Sequence, residues 1–294
     1  MIRWADVVHL TAAYSFPTLP TLFVCRVLGK PVVWSPRGGL QATHEWPRAR
    51  RRTLKGLWES VCNVTIRKGR CILHVTSEAE KKASLARMPE TSAVIIANGV
   101  EIPDDLPLRD WRPQGRMRLL FLGRLSEEKG IENLLRALAQ LADRSIELTI
   151  CGTGEPRYIE TMRGVVQALH LEEQVIFRGH VEGVDKTCAF LEADVCVVPS
   201  HSENFCMVVA EALAHGVPVI ASQGTPWANV EKNECGLWVD NSQESLARAV
   251  LDIRARNLAE MGNNGRAWMR HSFQWGRIAE EMCVLYHSVA GEKT

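Results

Sequence analysis

The chain has 294 residues, 46% hydrophobic and 23% charged, and its 35 Lys/Arg and 34 Asp/Glu leave a formal net charge of +1. That length favours two domains over one core, and the composition excludes a disordered tail, a collagen-like repeat and a disulfide-stapled miniprotein. Its apolar runs fall short of the roughly 18–20 residues of a membrane helix, and the start, MIRWADVVHL, lacks the basic-then-apolar layout of a secretory signal.

Short β-branched runs bounded by Gly, Pro, Ser or Asn predict strands in chain order at Asp6–Leu10, Pro31–Ser35, Ile72–Thr76 and Ala93–Ala97. Residues 103–116 follow, where Pro103, Pro107 and Pro113 interrupt polar sequence without any period. Six more strands are predicted after it: Arg118–Leu122, Glu147–Cys151, Val175–Arg178, Val195–Pro199, Val217–Ala221 and Leu237–Asp240. Helical periods fill the gaps, as in Ile131, Leu134, Leu135, Leu138 and Leu141. A helix is predicted over Phe205–Ala214, with Ser202 or Asn204 as its N-cap and Gly216 at its end, and a last amphipathic one over Phe273–Val289. This βαβα rhythm predicts an α/β chain of parallel sheets covered by helices on both faces. The expected division is residues 1–103, a linker at 104–115, a second domain at 116–272 and a C-terminal helix at 273–294.

The near-neutral charge hides an asymmetry. Residues 1–103 carry 15 basic and 7 acidic side chains, the remainder 20 and 27. Arg48, Arg50, Arg51, Arg52, Lys55, Arg67, Lys68 and Arg70 cluster against only Glu45 and Glu59. Two readings stay open: a solvated helix face, or contact with an anionic surface, membrane lipid or a phosphorylated acceptor. Nucleic acid is not expected, since no recognisable binding motif surrounds the stretch. The nine cysteines are scattered without a CxxC, which reads as reduced thiols in a cytoplasmic protein and not as a zinc site.

Ligands of open parallel sheets bind outside the carboxyl ends of the strands. In the second half those ends carry Gly123-Arg124 leading to Lys129-Gly130, then Gly152-Thr-Gly154, Gly179-His180-Val181, Ser200-His-Ser-Glu203-Asn204-Phe205 and Gly224-Thr-Pro-Trp227. A guanidinium and an ammonium across a turn that opens a helix suit a diphosphate; a surface pair answering Glu127 and Glu128 is the plainer alternative. Glu203 sits before a helix, where an ionised carboxylate is favoured, either as a hydroxyl acceptor or merely as a dipole partner. Glu211 lies eight residues on, about 12 Å if all eight are helical, as a second hydroxyl acceptor or a satisfied buried acid. A dehydrogenase is disfavoured because Arg157 stands where a third glycine would complete GxGxxG, and a kinase or ATPase because GxxxxGK[ST] is missing.

These residues carry a resemblance. Gly123-Arg124…Lys129-Gly130, Ser200-x-x-Glu203-Asn-Phe205 with Glu211 in an E-x7-E arrangement, and Glu-Ala-Leu-Ala-x-Gly-Val-Pro-Val-Ile-Ala look like the retaining glycosyltransferases of family 4, which have the GT-B fold. Ser35-Pro-Arg37-Gly38-Gly-Leu, Thr76-Ser-Glu-x-Glu80 and Ala97-Asn-Gly-Val100 are similar to the first domain of enzymes that build lipopolysaccharide or capsule. The resemblance implies a nucleotide-sugar donor and a glycan or lipid-linked acceptor at the inner membrane face, with no cofactor and no catalytic metal. It implies that Arg124 and Lys129 clamp the diphosphate, that Glu203 with the amides of Asn204 and Phe205 holds sugar and phosphate, and that Glu211 takes the ribose. Gly123, Gly179, His180 and Val181 would line the donor, the last three passing along the base. Arg37 and Gly38 would lie on the acceptor side, both domains would be Rossmann-like parallel-sheet domains, and the last helix, 273–294, would cross back to the first.

Two departures stand out. Cys206 occupies a position that is usually Gly in the family. The family also carries further βα units, on the order of 80–100 residues, ahead of the strand resembling Asp6–Leu10, where domains of about 170 residues are ordinary. The first domain is therefore expected to be incomplete, and the alternative function is a split donor-binding module that needs a partner chain. No counterpart of the catalytic histidine of some relatives is assigned, and His9 and His44 read as structural or surface residues.

Overall fold

The computed structural model of the protein describes residues 2–41, 52–66, 69–112 and 115–291. His44, Arg48, Arg50, Arg51, Arg67 and Lys68 lie outside the described residues. The chain forms two compact units, Met1–Gly99 with Trp275–Thr294, and Val100–Gln274.

The first unit holds strands β1 (Val8–Thr11), β2 (Val32–Ser35), β3 (Cys71–Val75) and β4 (Ser92–Ile95), with helices α1 (Thr18–Leu28), α2 (Arg52–Thr65) and α3 (Glu78–Arg87) between them. The strands pair in parallel in the order β1-β2-β3-β4. Each helical crossover returns the chain to the same edge, so the sheet grows in one direction. Every residue of β2 is buried, which is why Val-Val-Trp-Ser shows no alternation. Trp34, Leu73, Met88, Leu22 and Cys25 form the centre of the core. On the far side of α2, Leu54, Leu57, Val61 and Val64 recur at spacings of three and four, and all four are exposed. Phe23 and Val27 of α1 are exposed as well. Such a stripe has the period of a buried helix face but faces solvent.

The second unit has strands β5 (Met117–Leu122), β6 (Ile146–Cys151), β7 (Val175–Gly179), β8 (Val195–Val198), β9 (Val219–Ser222) and β10 (Gly236–Val239). Between and after them run α4 (Ile131–Leu141), α5 (Pro156–Ala168), α6 (Gly183–Glu192), α7 (Met207–Ala214), α8 (Asn229–Lys232), α9 (Gln243–Arg254) and α10 (Leu258–Ser272). The parallel order is β10-β9-β8-β5-β6-β7. Strand order therefore reverses between β5 and β8, a switch point that opens a crevice at the carboxyl ends. All ten expected strands are present, with ends shifted by one or two residues. β9 begins after Pro218 because proline has no N–H to give the ladder.

A last helix, α11 (Trp275–Ala290), buries Ile278 and Leu285 against Val33 and Ile96 of the first unit. The indole of Trp275 sits where a Cβ on Gly99 would stand, at 2.5 Å, so residue 99 admits no side chain. No described helix is long and apolar enough to cross a membrane.

Candidate active site

The rim of the second unit is organised around the backbone of Pro199–His201. A Cβ on Gly130, which has a left-handed φ of 64°, would lie 2.0 Å from the Pro199 carbonyl. A Cβ on Gly224 would lie 2.3 Å from the Ser200 carbonyl and 2.5 Å from that of His201. Two loops thus close on the segment from opposite chain directions, and only glycine permits either approach. Hydrogen bonds fix the register: His201 N–H donates to Glu128 O at 2.9 Å and Glu203 N–H to Gly224 O at 2.8 Å.

This clamp brings two of the sequence candidates together. Lys129 Nζ donates to Glu203 Oε1 at 2.5 Å, and Ser200 Oγ donates to the same oxygen at 2.8 Å. Both charged side chains are largely shielded, so their attraction is stronger than that of a surface pair. Arg124 is not part of this group. Its side chain is 69% exposed and lies 3.8 Å from Glu128, a loose i,i+4 pair. Gly123 leaves β5 just before it and donates to Cys151 O at 3.0 Å.

The helix after Glu203 begins later than expected. It runs from Met207, and its N-cap is Cys206, not Ser202 or Asn204. The chain turns into the helix through a left-handed residue, with φ 65° and ψ 73° at Cys206, which explains why glycine suits this position. Burial pushes the Cys206 thiol well above the ordinary cysteine range. Glu203 therefore lies in the loop, and the helical count that related it to Glu211 does not apply. Glu211, on α7, pairs with Lys186 of α6 at 2.6 Å. Asn204 is half-buried beside Phe205. The ring of Phe205 turns inward onto Trp227 and Phe273, at centroid distances of 5.2 and 6.1 Å. Gly179 ends β7 and accepts from Gly152 N–H at 2.7 Å; exposed His180 stands 3.5 Å from Glu182, and Val181 is half-buried beside it.

In the first unit, Arg37 has a left-handed φ of 52° and donates to Asn98 Oδ1. Gly38 N–H donates to Glu80 Oε1 at 2.6 Å. Glu80 is fully buried, and its other oxygen accepts from the amide and hydroxyl of Thr76 at 2.7 and 2.8 Å. The quoted Thr-Ser-Glu-x-Glu run thus holds the Arg37 loop in place.

Sequence reasoning set His9 aside, but it belongs to a relay. His9 Nδ1 is 2.7 Å from Tyr286 Oη and Nε2 is 2.7 Å from Ser35 Oγ. Ser35 Oγ is 2.8 Å from His74 Nδ1, and His74 Nε2 is 3.0 Å from the Ile96 carbonyl. A carbonyl only accepts, so His74 Nε2 carries its proton and Nδ1 accepts from Ser35. Ser35 then accepts from His9 Nε2–H, and His9 Nδ1 accepts from Tyr286. With both rings neutral, each donor of the relay meets an acceptor. Burial first, then the charges of His74 and Arg37, lowers His9 to about 4. Burial lowers His74 as well. No local motif announces this relay, because its members come from β1, β2, β3 and α11.

Comparison with known proteins decides the family. The profile of the group 1 glycosyl transferases matches residues 110–268. The chain belongs to this family. An uncharacterised glycosyltransferase of Methanocaldococcus jannaschii is 31% identical over 229 residues, 70% of this chain and 57% of that one. A GDP-mannose-dependent α-mannosyltransferase of Mycolicibacterium smegmatis is 33% identical over 192 residues, 63% of this chain and 47% of that one. Among solved structures, sucrose-phosphate synthase from Thermosynechococcus elongatus superposes with a TM-score of 0.77 at 26% identity, covering 97% of this chain and 73% of that one. The fold is GT-B, with a four-stranded and a six-stranded parallel sheet, the first the smaller. The chain spans about half the length of the curated relatives it matches.

Two outcomes are expected. Replacing Cys206 by Gly relieves the left-handed strain and leaves stability within about 1 kcal/mol of the parent, while Cys206→Val costs about 1–2 kcal/mol or more in denaturant melts. Acid weakens the first unit. An unfolded histidine titrates near about 6.5 and native His9 near about 4. The unfolded chain therefore binds more protons between those values, and stability falls as pH drops through that window. Thermal melts at stepped pH values will show a shallower decline for His9→Gln than for the parent.

Proposed function

We propose that this chain is a retaining glycosyltransferase that moves a hexosyl group from a nucleotide-sugar donor to a glycan or lipid-linked acceptor in the synthesis of a surface polysaccharide of the lipopolysaccharide or capsule type. The observation that carries this reading is the Lys129–Glu203–Ser200 cluster beside the N-terminus of α7, at the switch point of the second sheet. Cation, helix N-terminus and carboxylate together suit a sugar diphosphate: the first two face phosphate, the third accepts sugar hydroxyls. The GDP-mannose dependence in the name of one relative supports a nucleoside diphosphate leaving group.

In the transfer, the bond from the anomeric carbon to the phosphate oxygen breaks and a bond to the acceptor oxygen forms on the same face. The acceptor proton goes to the departing phosphate. Lys129 stabilises the charge that builds on that phosphate, which is electrostatic catalysis. Arg124, exposed on its turn, is the second cation of the clamp. Glu211 takes the ribose, and Gly179, His180 and Val181 pass along the base. Gly123 and the amides of Asn204 and Phe205 complete the donor contacts. Arg37 and Gly38, held by Asn98 and Glu80, serve the acceptor side.

The setting we infer is peripheral attachment to an anionic membrane at its cytoplasmic face. The exposed stripe Leu54, Leu57, Val61 and Val64 supports it, because an apolar helix face flanked in sequence by Arg50, Arg51, Arg67 and Lys68 suits burial among anionic headgroups. A second reading keeps only donor binding in this chain: the family profile matches residues 110–268, and a donor-binding module of that kind would need a partner chain to complete the cleft.

Lys129→Ala and Glu203→Ala should each lower sugar transfer at least about 100-fold with an unchanged circular dichroism spectrum; equal turnover in either variant contradicts the assigned roles. Donor binding without transfer in the parent, restored by a partner chain, selects the second reading. In vesicle sedimentation, Leu57→Asp combined with Val61→Asp should release the protein from anionic liposomes, and retention of the variant would return the stripe to another partner.

A further inference from the structure

Trp227 lies in the loop after β9 and contributes no side-chain contact to the Lys129–Glu203 cluster. Its ring is buried against Phe205, Trp268 and Phe273, with centroids 5.2, 5.6 and 5.4 Å away. Apolar packing of that kind would be served by phenylalanine. What distinguishes the indole is its N–H, which donates to the buried Phe205 carbonyl at 2.5 Å. The loop bearing Trp227 is itself tied down. Gln223 N–H donates to Val239 O at 2.8 Å, Thr225 Oγ1 to Ser222 O at 2.8 Å, and Trp238 Nε1 to Thr225 O at 3.2 Å.

The carbonyl that Trp227 grips belongs to the Phe205–Cys206 peptide. Among the described residues the one cis bond is Phe16–Pro17, so this peptide is trans. In a trans peptide C=O and N–H point in opposite directions. A carbonyl drawn inward onto the indole turns the Cys206 N–H away from the aromatic cluster. Cys206 caps α7, and the charges of Glu203 and Lys129 both act on its thiol, so this amide lies on the same rim as the proposed phosphate cradle.

The arrangement is not the one the local backbone prefers. Rotating the 205–206 peptide by 180° would take φ of Cys206 from 65° to −115°, out of the left-handed region that favours glycine. It would also turn the amide inward. A bond to a buried carbonyl is a suitable counterweight, since an orphaned carbonyl there is costly.

We propose that Trp227 is a positioning residue for the donor phosphates: its indole N–H holds the Phe205–Cys206 peptide in the orientation that presents the Cys206 amide to the diphosphate. This rests on the donor site proposed above. Phenylalanine at 227 keeps a ring in the cluster and removes the N–H. Trp268→Phe is the matched control, because Trp268 shares the cluster at 5.5 Å from Phe273 and has no bond to the Phe205 carbonyl.

The test is titration of UDP and GDP into parent, Trp227→Phe, Trp268→Phe and Lys129→Ala proteins, with uridine and guanosine as phosphate-free probes followed by ligand-detected NMR. Trp227→Phe should weaken the better-binding diphosphate about tenfold, as expected for a lost charge-assisted contact, and leave its nucleoside unchanged; Trp268→Phe should change neither. Should Trp227→Phe fail to fold, benzothienylalanine at 227, with the same bicyclic shape and no N–H, replaces it. Diphosphate binding that Lys129→Ala abolishes and Trp227→Phe leaves intact overturns this inference alone. So does equal weakening by Trp227→Phe and Trp268→Phe, which would make the cluster mere packing. If neither diphosphate binds the parent, the donor-site reading falls and this inference with it.

Discussion

Between Gly130 and Gly224 the backbone of Pro199–His201 runs with no room for a methyl group on either side. That steric constraint places the ion pair of the rim. Lys129 immediately precedes one of the glycines, and Glu203 follows the clamped segment by two residues, its own amide bonded to the other glycine. A shift of either loop by a fraction of an ångström would be transmitted to the 2.5 Å contact between ammonium and carboxylate. Polar groups held this way need little reorganisation when charge develops beside them, which is the main requirement of electrostatic catalysis. The glycines therefore matter to the rim by admitting neighbours, more than by supplying flexibility.

The architecture of both units was legible in the chain because parallel strands buried on both faces read as short β-branched runs. Val32–Ser35 and Val195–Val198 are of this kind, and both are strands along their whole length. Gly130 and Gly224 were legible too, since glycine in the loop after a strand marks a close approach to the backbone. The start of α7 was not. Cap rules favour Ser, Asp and Asn, and Ser202 and Asn204 both offered themselves, yet the cap is a cysteine in the left-handed region. The one mark in the chain is that Cys206 stands where the family usually has Gly, the residue that left-handed backbone favours. The bond that holds the preceding carbonyl comes from Trp227, far along the chain.

The relay through His9, Ser35, His74 and Tyr286 was illegible for a related reason. Its partners are separated by 26, 39 and 277 positions, and each residue alone is unremarkable on its strand or helix. Periodicity reports which face a side chain occupies, not which hydroxyl meets which ring. The same limit applies to Glu80. Ser77 is the cap of α3, and Glu80 N–H donates to its hydroxyl at 3.1 Å. That Glu80 also accepts from Gly38 is a tertiary fact.

The exposed stripe on α2 illustrates the converse, a pattern that is present in the chain and overrides nothing in the fold. Leu54, Leu57, Val61 and Val64 have the spacing of a core face, while Cys62 on the opposite side is the residue the sheet buries. An amphipathic helix ordinarily buries the more apolar side. Here both sides are apolar enough to be buried, and the core takes the side bearing Trp58 and Cys62, where Trp58 Nε1 reaches the Ala13 carbonyl at 3.0 Å. That hydrogen bond resolves the ambiguity in favour of one face, because turning the helix would strand an indole donor and a carbonyl together. The second apolar face is left exposed, and its pairing with the basic residues flanking it in sequence is what the proposed membrane contact rests on.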